Sequence, residues 1–281
     1  SQDVIDTGLV LQLKGALRLI EADLDRLIAA LATQAAAHRD TVMIGRTWLQ
    51  HALPLTFGFK LAGSLDAVLR QRAQLQALKP EMLSLQFGGA AGTLASLRDK
   101  GPQVARRLAA ILGLTEPDLP WHSQRDRIAG AAAFFGTLAG TLGKLARDVS
   151  LMAQTEVAEL AEAAGEGRGG SSTMPHKRNP VACAAILCAA QRTPQLVATI
   201  MAGMTQEHER GLGGWHAEWE TLRLLARRSL VAASQASDLL DGLVVDTARM
   251  AGSDKAVADD LAAGQASMAA FVDAAAGPGP T

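Results

Sequence analysis

Tyrosine is absent from this 281-residue sequence, and aromatic residues make up only 4% of it. Runs of β-branched residues bounded by turn residues are scarce. Strands draw on those classes, so their shortage argues against a sheet-rich fold. Net charge is missing too: 27 Lys and Arg face 28 Asp and Glu, leaving a formal net charge of −1. A near-neutral chain carries no electrostatic footprint for nucleic acid or an anionic membrane surface. The two cysteines, Cys183 and Cys188, lie in one apolar run. Their spacing fits neither a disulfide framework nor a metal site and points to a reducing, cytoplasmic setting. No cluster has metal-ligand spacing, and there is no dinucleotide or phosphate-loop fingerprint, so no metal or organic cofactor is expected. No uninterrupted apolar stretch reaches bilayer length, and no basic leader precedes an apolar core. The chain opens at Ser1 without Met, and its first segment reads as the interior of something longer, a processed, trimmed or partial chain.

What is present is alanine, leucine and a helical period. Leu13, Leu17, Ile20, Leu24, Leu27 and Leu31 recur at four-three spacing, the seam of a long bundle helix. A second seam runs through Leu138, Leu142, Leu145, Val149 and Met152. Helices are expected near 8–38, 55–79, 101–113, 124–163, 181–203 and 215–245, several longer than the average of about 11–12 residues. The fold class is therefore all-α, a long-helix bundle. The 181–203 helix carries small residues on more than one face (Ala182, Cys183, Ala184, Cys188, Ala189). Apolar nearly all round, it predicts burial by other subunits and hence a homo-oligomer, with an Ala-rich monomer core as the plainer alternative. One domain is expected over 1–250. The tail over 251–281 reads as a frayed helix followed by disorder.

The unusual residues fall between the expected helices, in Ser1–Thr7, Gly45–Pro54, Phe87–Thr93, Pro117–Asp126, Gly165–Pro180 and Gln206–Glu220. Functional residues concentrate on such loops. The strongest segment runs from Gly169 to Pro180 and includes Ser171, Ser172, Met174, Lys177, Arg178 and Asn179. It reads as a mobile glycine-rich loop entering a helix, with Asn179 as N-cap and Pro180 as first helical residue. A helix N-terminus beside Lys177 and Arg178 is a natural anion site; a solvated capping loop is the equal alternative from these residues alone.

The run GSSTMPHKRN resembles the signature of the fumarase/aspartase superfamily. Ser1–Thr7 and Gly45–Pro54 resemble its other two signature regions, in the same order. The likeness extends to about Met250. It implies a helical bundle at the core of a homotetramer, with each active site gathered from three subunits. It also implies a small helical domain before Ser1 and more helix after Met250. Most members carry His in the second region to handle the leaving group's proton; here Trp48 stands there. One branch, the bacterial 3-carboxy-cis,cis-muconate cycloisomerases, resembles this sequence at Thr47-Trp48-Leu49-Gln50-His51. It does so again at Trp121-His122-Ser123-Gln124-Arg125-Asp126 and from Gln206 to Trp219.

The resemblance implies a reaction in which a substrate carboxylate adds to a conjugated double bond and closes a lactone, in aromatic-acid (protocatechuate) catabolism. A carboxylate with a pKa near ~4 is already ionised at neutral pH and needs no base. An indole in place of His then shapes the pocket and holds the diene folded for an intramolecular attack. Charge left beside a second carboxylate needs fixed donors, and the carbon needs a proton. The likeness gives these tasks to Lys177, Asn179, the backbone amides of the 181-helix and one serine of the Ser171–Ser172 pair; which of the two stays open, with Ser171 the favoured one. Arg46, Thr47, Gln50, Arg125, Lys177 and Arg178 are candidates for a small-molecule tricarboxylate, since Arg forks suit carboxylates. A sulfonate in place of the 3-carboxylate stays open.

Other residues remain balanced between function and packing. His51 lines the pocket or packs beneath its loop. His122, before Gln124 and Arg125, leans toward the site. His208 and His216 fit an ion-pair network at least as well as catalysis. Gly88, Gly89 and Gly92 offer a weak anion nest. Glu156 and Glu159 read as a solvated helix face. The rival readings are an adenylosuccinate-lyase-like eliminase releasing fumarate, which Trp48 opposes, and a non-catalytic scaffold, which the retained serines, Lys177 and Asn179 oppose.

Overall fold

The computed structural model describes residues 1–165, 168–171, 173–174, 177–252 and 258–277, with backbone alone over 258–263. The element order is α1 (Gln2–Ala37), β1 (Val42–Thr47), β2 (Gln50–Thr56), α2 (Phe57–Met82), a 3-10 turn at Ala95–Lys100 and α3 (Gly101–Leu112). There follow α4 (Asp126–Met152), β3 (Leu160–Ala161), α5 (Val181–Ala202), α6 (Gly214–Asp241), β4 (Val244–Val245), α7 (Thr247–Ala251) and α8 (Ala258–Ala276). Helix dominates, as the composition requires. The only strands among the described residues form two small antiparallel ladders, β1 with β2 and β3 with β4.

The chain divides into two compact units, and α1, α2, α4, α5 and α6 each contribute residues to both. The first unit comprises residues 1–22, 71–139 and 189–231. Its core takes Leu13, Leu17 and Ile20 from α1, Phe134, Phe135 and Leu138 from α4, and Leu222 and Leu225 from α6, all buried. The second comprises residues 23–70, 140–188 and 232–281. Its core takes Leu24, Leu27 and Leu31 from α1, Leu61 and Leu65 from α2, and Leu142, Leu145 and Val149 from α4. Both expected seams are thus buried along their length. Each such side chain contributes about 1.5–3 kcal/mol on leaving water.

The structure departs from the expected element pattern in three places. Ser1–Thr7 is not a loop: α1 begins at Gln2, and Asp3 in its first turn suits the positive helix end. The helix expected over 124–163 stops at Met152. No Gly or Pro marks that stop; Ala158 takes a left-handed φ of 51°, and the Glu159 N–H returns to the Met152 carbonyl at 3.0 Å. Pairing of Leu160 with Val245 draws the chain out of helix. The Gly45–Pro54 segment is a β-hairpin. At the other end, α8 packs on the second unit, with Met268 and Val272 buried, Phe271 against Phe59, and Asp273 paired with Arg39 at 2.6 Å. Residues 253–257 and 278–281 lie outside the described residues.

By length and hydropathy alone, α4 and α5 are long and apolar enough to cross a membrane, which the sequence reading did not anticipate. In α4 that apolar stretch supplies core residues. In α5 only 28% of the stretch is buried. Its buried side is Ala182, Cys183, Ile186, Ala189, Thr193 and Ile200, at helical spacing, while Val181, Cys188 and Met201 face outward.

Candidate active site

The hairpin of the second signature region belongs to the second unit. Register shifts between Ile44 and Arg46, and a Cβ on Gly45 would lie 2.7 Å from the Leu53 carbonyl, so the close approach needs glycine. Trp48 and Leu49 form the two-residue tip, both left-handed at φ 52° and 63°. A type I′ turn demands that conformation and normally takes Asn-Gly. Here it is held by two large apolar side chains, each at a cost of roughly 1–2 kcal/mol. The turn presents the Trp48 indole at 97% exposure, with Thr47, Gln50 and His51 exposed beside it. Arg46 points elsewhere: its guanidinium makes a two-point contact with Glu159 at 2.8 and 2.9 Å. The Glu159 side chain is 1% exposed, so the reading of Glu159 as a solvated face is wrong.

The third region lines a cavity of about 260 Å³ in the same unit, with Lys177, Arg178, Asn179, Arg168 and Glu162 on its wall. That is just below the range of small-molecule pockets, roughly 300–1,000 Å³. Lys177 and Arg178 are exposed, and Met174 is 42% exposed. The Ser171 hydroxyl oxygen accepts from the Met174 N–H at 3.1 Å. Ser172 and His176 lie outside the described residues. Asn179 does not cap α5 with its side chain. Its backbone N–H and its Nδ2 both donate to the Gly169 carbonyl, at 2.8 and 3.1 Å, closing the loop on itself. The α5 N-terminus is not open to an external anion either. The Glu162 carboxylate accepts from the N–H groups of Ala182 at 3.1 Å and Cys183 at 2.9 Å.

The first region is built into the first unit. Arg125, fully buried, donates to both oxygens of Asp6 at 2.9 and 3.1 Å and to both of Glu218 at 2.5–3.2 Å. The Trp215 indole N–H and Gln2 Nε2 also donate to Asp6, and the Trp121 ring lies 5.0 Å from the guanidinium. Burial raises the Glu218 carboxyl above its ordinary value, while Arg125 pulls it down and Asp6 adds to the rise. His122 is buried, its Nε2 3.1 Å from the Gly89 carbonyl, and a Cβ on Gly88 would meet its ring at 2.4 Å. The Gly88 and Gly89 N–H groups do form a nest, and it holds the Asp3 carboxylate at 3.2 and 2.8 Å. Gln124 is exposed. His216 stacks edge-on against Trp215 and tilted against Trp219.

One pattern unites these placements. Four anion-binding features legible in the sequence are Arg46, Arg125, the glycine nest and the α5 N-terminus. Each is occupied by a carboxylate of the chain itself: Glu159, Asp6 with Glu218, Asp3, and Glu162 respectively. Motif reading covered Asp3, Asp6, Glu159 and Glu218 but not these pairings, and it passed over Glu162, because the partners are distant in sequence and no spacing announces them. Lys177 and Arg178 have no ion-pair partner among the described residues. His51 and Arg46 border a second cavity of about 460 Å³, and neither cavity takes lining from the other signature regions. Among the described residues no group of three metal-ligating side chains converges.

A long-helix bundle carrying these three segments matches the fumarase/aspartase superfamily, and the family profile described as lyase matches residues 1–194: the chain belongs to this family. A 3-carboxy-cis,cis-muconate cycloisomerase of Pseudomonas aeruginosa is 58% identical over 250 residues, 89% of this chain and 54% of that protein. The crystal structure of the 3-carboxy-cis,cis-muconate lactonizing enzyme of Pseudomonas putida matches with a TM-score of 0.84 at 53% identity, over 89% of this chain and 55% of that one. A nitrosuccinate lyase of Streptomyces davaonensis is 47% identical over 258 residues, 89% of this chain and 54% of that protein. The chain thus spans about half the length of the curated relatives it matches.

Proposed function

We propose that the chain is the central bundle of a cofactor-free, cytoplasmic, homotetrameric cycloisomerase that interconverts 3-carboxy-cis,cis-muconate and 4-carboxymuconolactone in aromatic-acid breakdown. The observation that carries the reading is Trp48. A leaving amine or hydroxide would need a proton donor at this position, and an indole cannot serve. A carboxylate nucleophile needs none. An indole held out at a hairpin tip offers a flat apolar face against which a diene folds, and folding supplies much of the rate of an intramolecular attack.

The occupied anion features narrow the remaining roles. Arg46, Arg125 and the glycine nest hold internal carboxylates, so substrate carboxylates fall to Lys177 and Arg178, with Thr47, Gln50 and His51 from the hairpin. Lys177 faces the enolate-like charge, and a serine of the 171–172 pair returns the proton to carbon. Separate cavities for the second and third regions fit a site completed by neighbouring subunits, and the outward apolar side of α5 fits burial in that assembly.

The test is turnover of 3-carboxy-cis,cis-muconate by the assembled oligomer in deuterated water. Diene absorbance is followed and the product identified by NMR. The expected product is the lactone with one deuterium on the carbon beside the carboxylate. An assembled tetramer that leaves the diene untouched, or consumes it without forming lactone, overturns the reading.

A further inference from the structure

Glu159 belongs to no signature segment, yet it occupies the junction between two of them. Its side chain is 1% exposed and faces Arg46 through two charge-assisted bonds of 2.8 and 2.9 Å. Arg46 lies two residues before Trp48, where strand register has just shifted. The backbone at Glu159 is fixed on both sides. Its N–H donates to the Met152 carbonyl at 3.0 Å, and its carbonyl accepts from the Asp246 N–H at 3.0 Å. The chain runs on through the β3–β4 pair, and three residues beyond Glu159, Glu162 caps α5, the helix that follows Lys177 and Arg178. One four-residue strap therefore grips the hairpin with its first residue and the α5 N-terminus with its last.

A planar fork against a carboxylate fixes orientation as well as distance, which a single contact does not. The hairpin needs such a fixture. Its tip is held in left-handed backbone by Trp48 and Leu49, and strain of that kind persists only where the surroundings over-determine it.

We propose that Glu159 is a positioning residue of the site: its two-point ion pair with Arg46 sets the orientation of the Trp48–His51 tip relative to the strap that also caps α5. It touches no substrate. For its kinetic readout the proposal rests on the cycloisomerase reading; for its structural readout it does not.

The test compares the whole protein with Glu159→Gln, Arg46→Met and the double variant. Amide hydrogen exchange at 46–52 is read without substrate, and kcat and KM are read with 3-carboxy-cis,cis-muconate. Either single variant is expected to speed exchange at the tip by about tenfold or more while the core of α1 and α4 stays protected. The double variant is expected to add nothing further, since both changes remove one contact. With substrate, kcat falls about tenfold or more and KM moves little, because orientation rather than uniform binding is lost. Should Glu159→Gln fail to fold, Arg46→Met removes the same contact from its partly exposed end and decides alone. Unchanged exchange at 46–52, or additive effects of the two substitutions, overturns the proposal. If the wild type forms no lactone, the functional reading falls, and the exchange result still decides the role of Glu159.

Discussion

The carboxylate of Glu162 accepts from the backbone N–H of Cys183 at 2.9 Å and so occupies the helix end that the sequence offers to a bound anion. The same contact governs the cysteine. Burial, then the charge and hydrogen bond of Glu162, push the Cys183 thiol up to about 12. A thiol so far above neutrality carries almost no thiolate. In the folded protein at pH 8, Cys183 is expected to resist iodoacetamide and to react only on unfolding, as peptide mass spectrometry would show. Glu162→Gln keeps part of the cap and is expected to cost about 1 kcal/mol in denaturant unfolding.

The strained tip makes a prediction of opposite sign. Leu49 has φ 63° and is 75% exposed, so its side chain contributes little packing to the chain. Leu49→Gly relieves a left-handed conformation, partly offset by the greater freedom of glycine in the unfolded chain. A gain of up to about 1 kcal/mol is expected. Trp48→Gly is expected to stabilise the hairpin similarly and yet to abolish most lactone formation. Thermal unfolding and initial rates on the two variants separate strain from function; a loss of stability in both would show that the tip is not strained.

How much of this was legible in the sequence differs by interaction range. The seams Leu13–Leu31 and Leu138–Met152 were readable because a helix repeats its buried face every three or four residues, and both are buried. The hairpin was not, because Trp48-Leu49 is the reverse of a turn signal. The stop of α4 at Met152 was not either, since Ala153–Glu159 contains no breaker and tertiary pairing decides it. At the candidate site, motif reading found Arg46, Arg125, Asn179 and the glycines, but not what they hold. Arg46 meets Glu159 across 113 residues and Arg125 meets Asp6 across 119, and such pairings leave no local trace.

Substitution of Lys177 tests a proposed catalytic role apart from folding. Its side chain is exposed on the cavity wall, with no ion-pair partner among the described residues. Lys177→Met should leave the unfolding midpoint within experimental scatter. If the ammonium faces charge that develops only in the transition state, kcat falls about 10²–10³-fold with little change in KM. If Arg178 holds a substrate carboxylate in the ground state, Arg178→Met is expected to raise KM instead. Steady-state kinetics on the two variants distinguish these roles, and equal effects on KM from both would remove Lys177 from the chemical step.

The buried cluster around Arg125 predicts how stability follows pH. Burial, aided by Asp6, holds the Glu218 carboxyl above its ordinary 4.5, against the pull of Arg125. A group whose pKa rises on folding binds its proton more tightly in the native state. The stability this confers is complete below about 4.5 and is lost as pH rises through the raised value. Glu218→Gln keeps a hydrogen-bonding side chain of the same shape but cannot titrate. The stability of the wild type relative to this variant is therefore expected to fall as pH rises above about 4.5, as guanidinium unfolding at several pH values would show. Asp6 and Arg125 face the same group and are present in both proteins, so the difference reports Glu218 together with its coupling to them. A wild type that gains on the variant as pH rises would mean that attraction to Arg125 outweighs the cost of burying the charge. Removing the cation takes away the pull that opposes burial. Arg125→Met leaves Asp6 and Glu218 buried against each other, a loss of roughly 3–5 kcal/mol at neutral pH, and acid should restore part of it by protonating one of the pair.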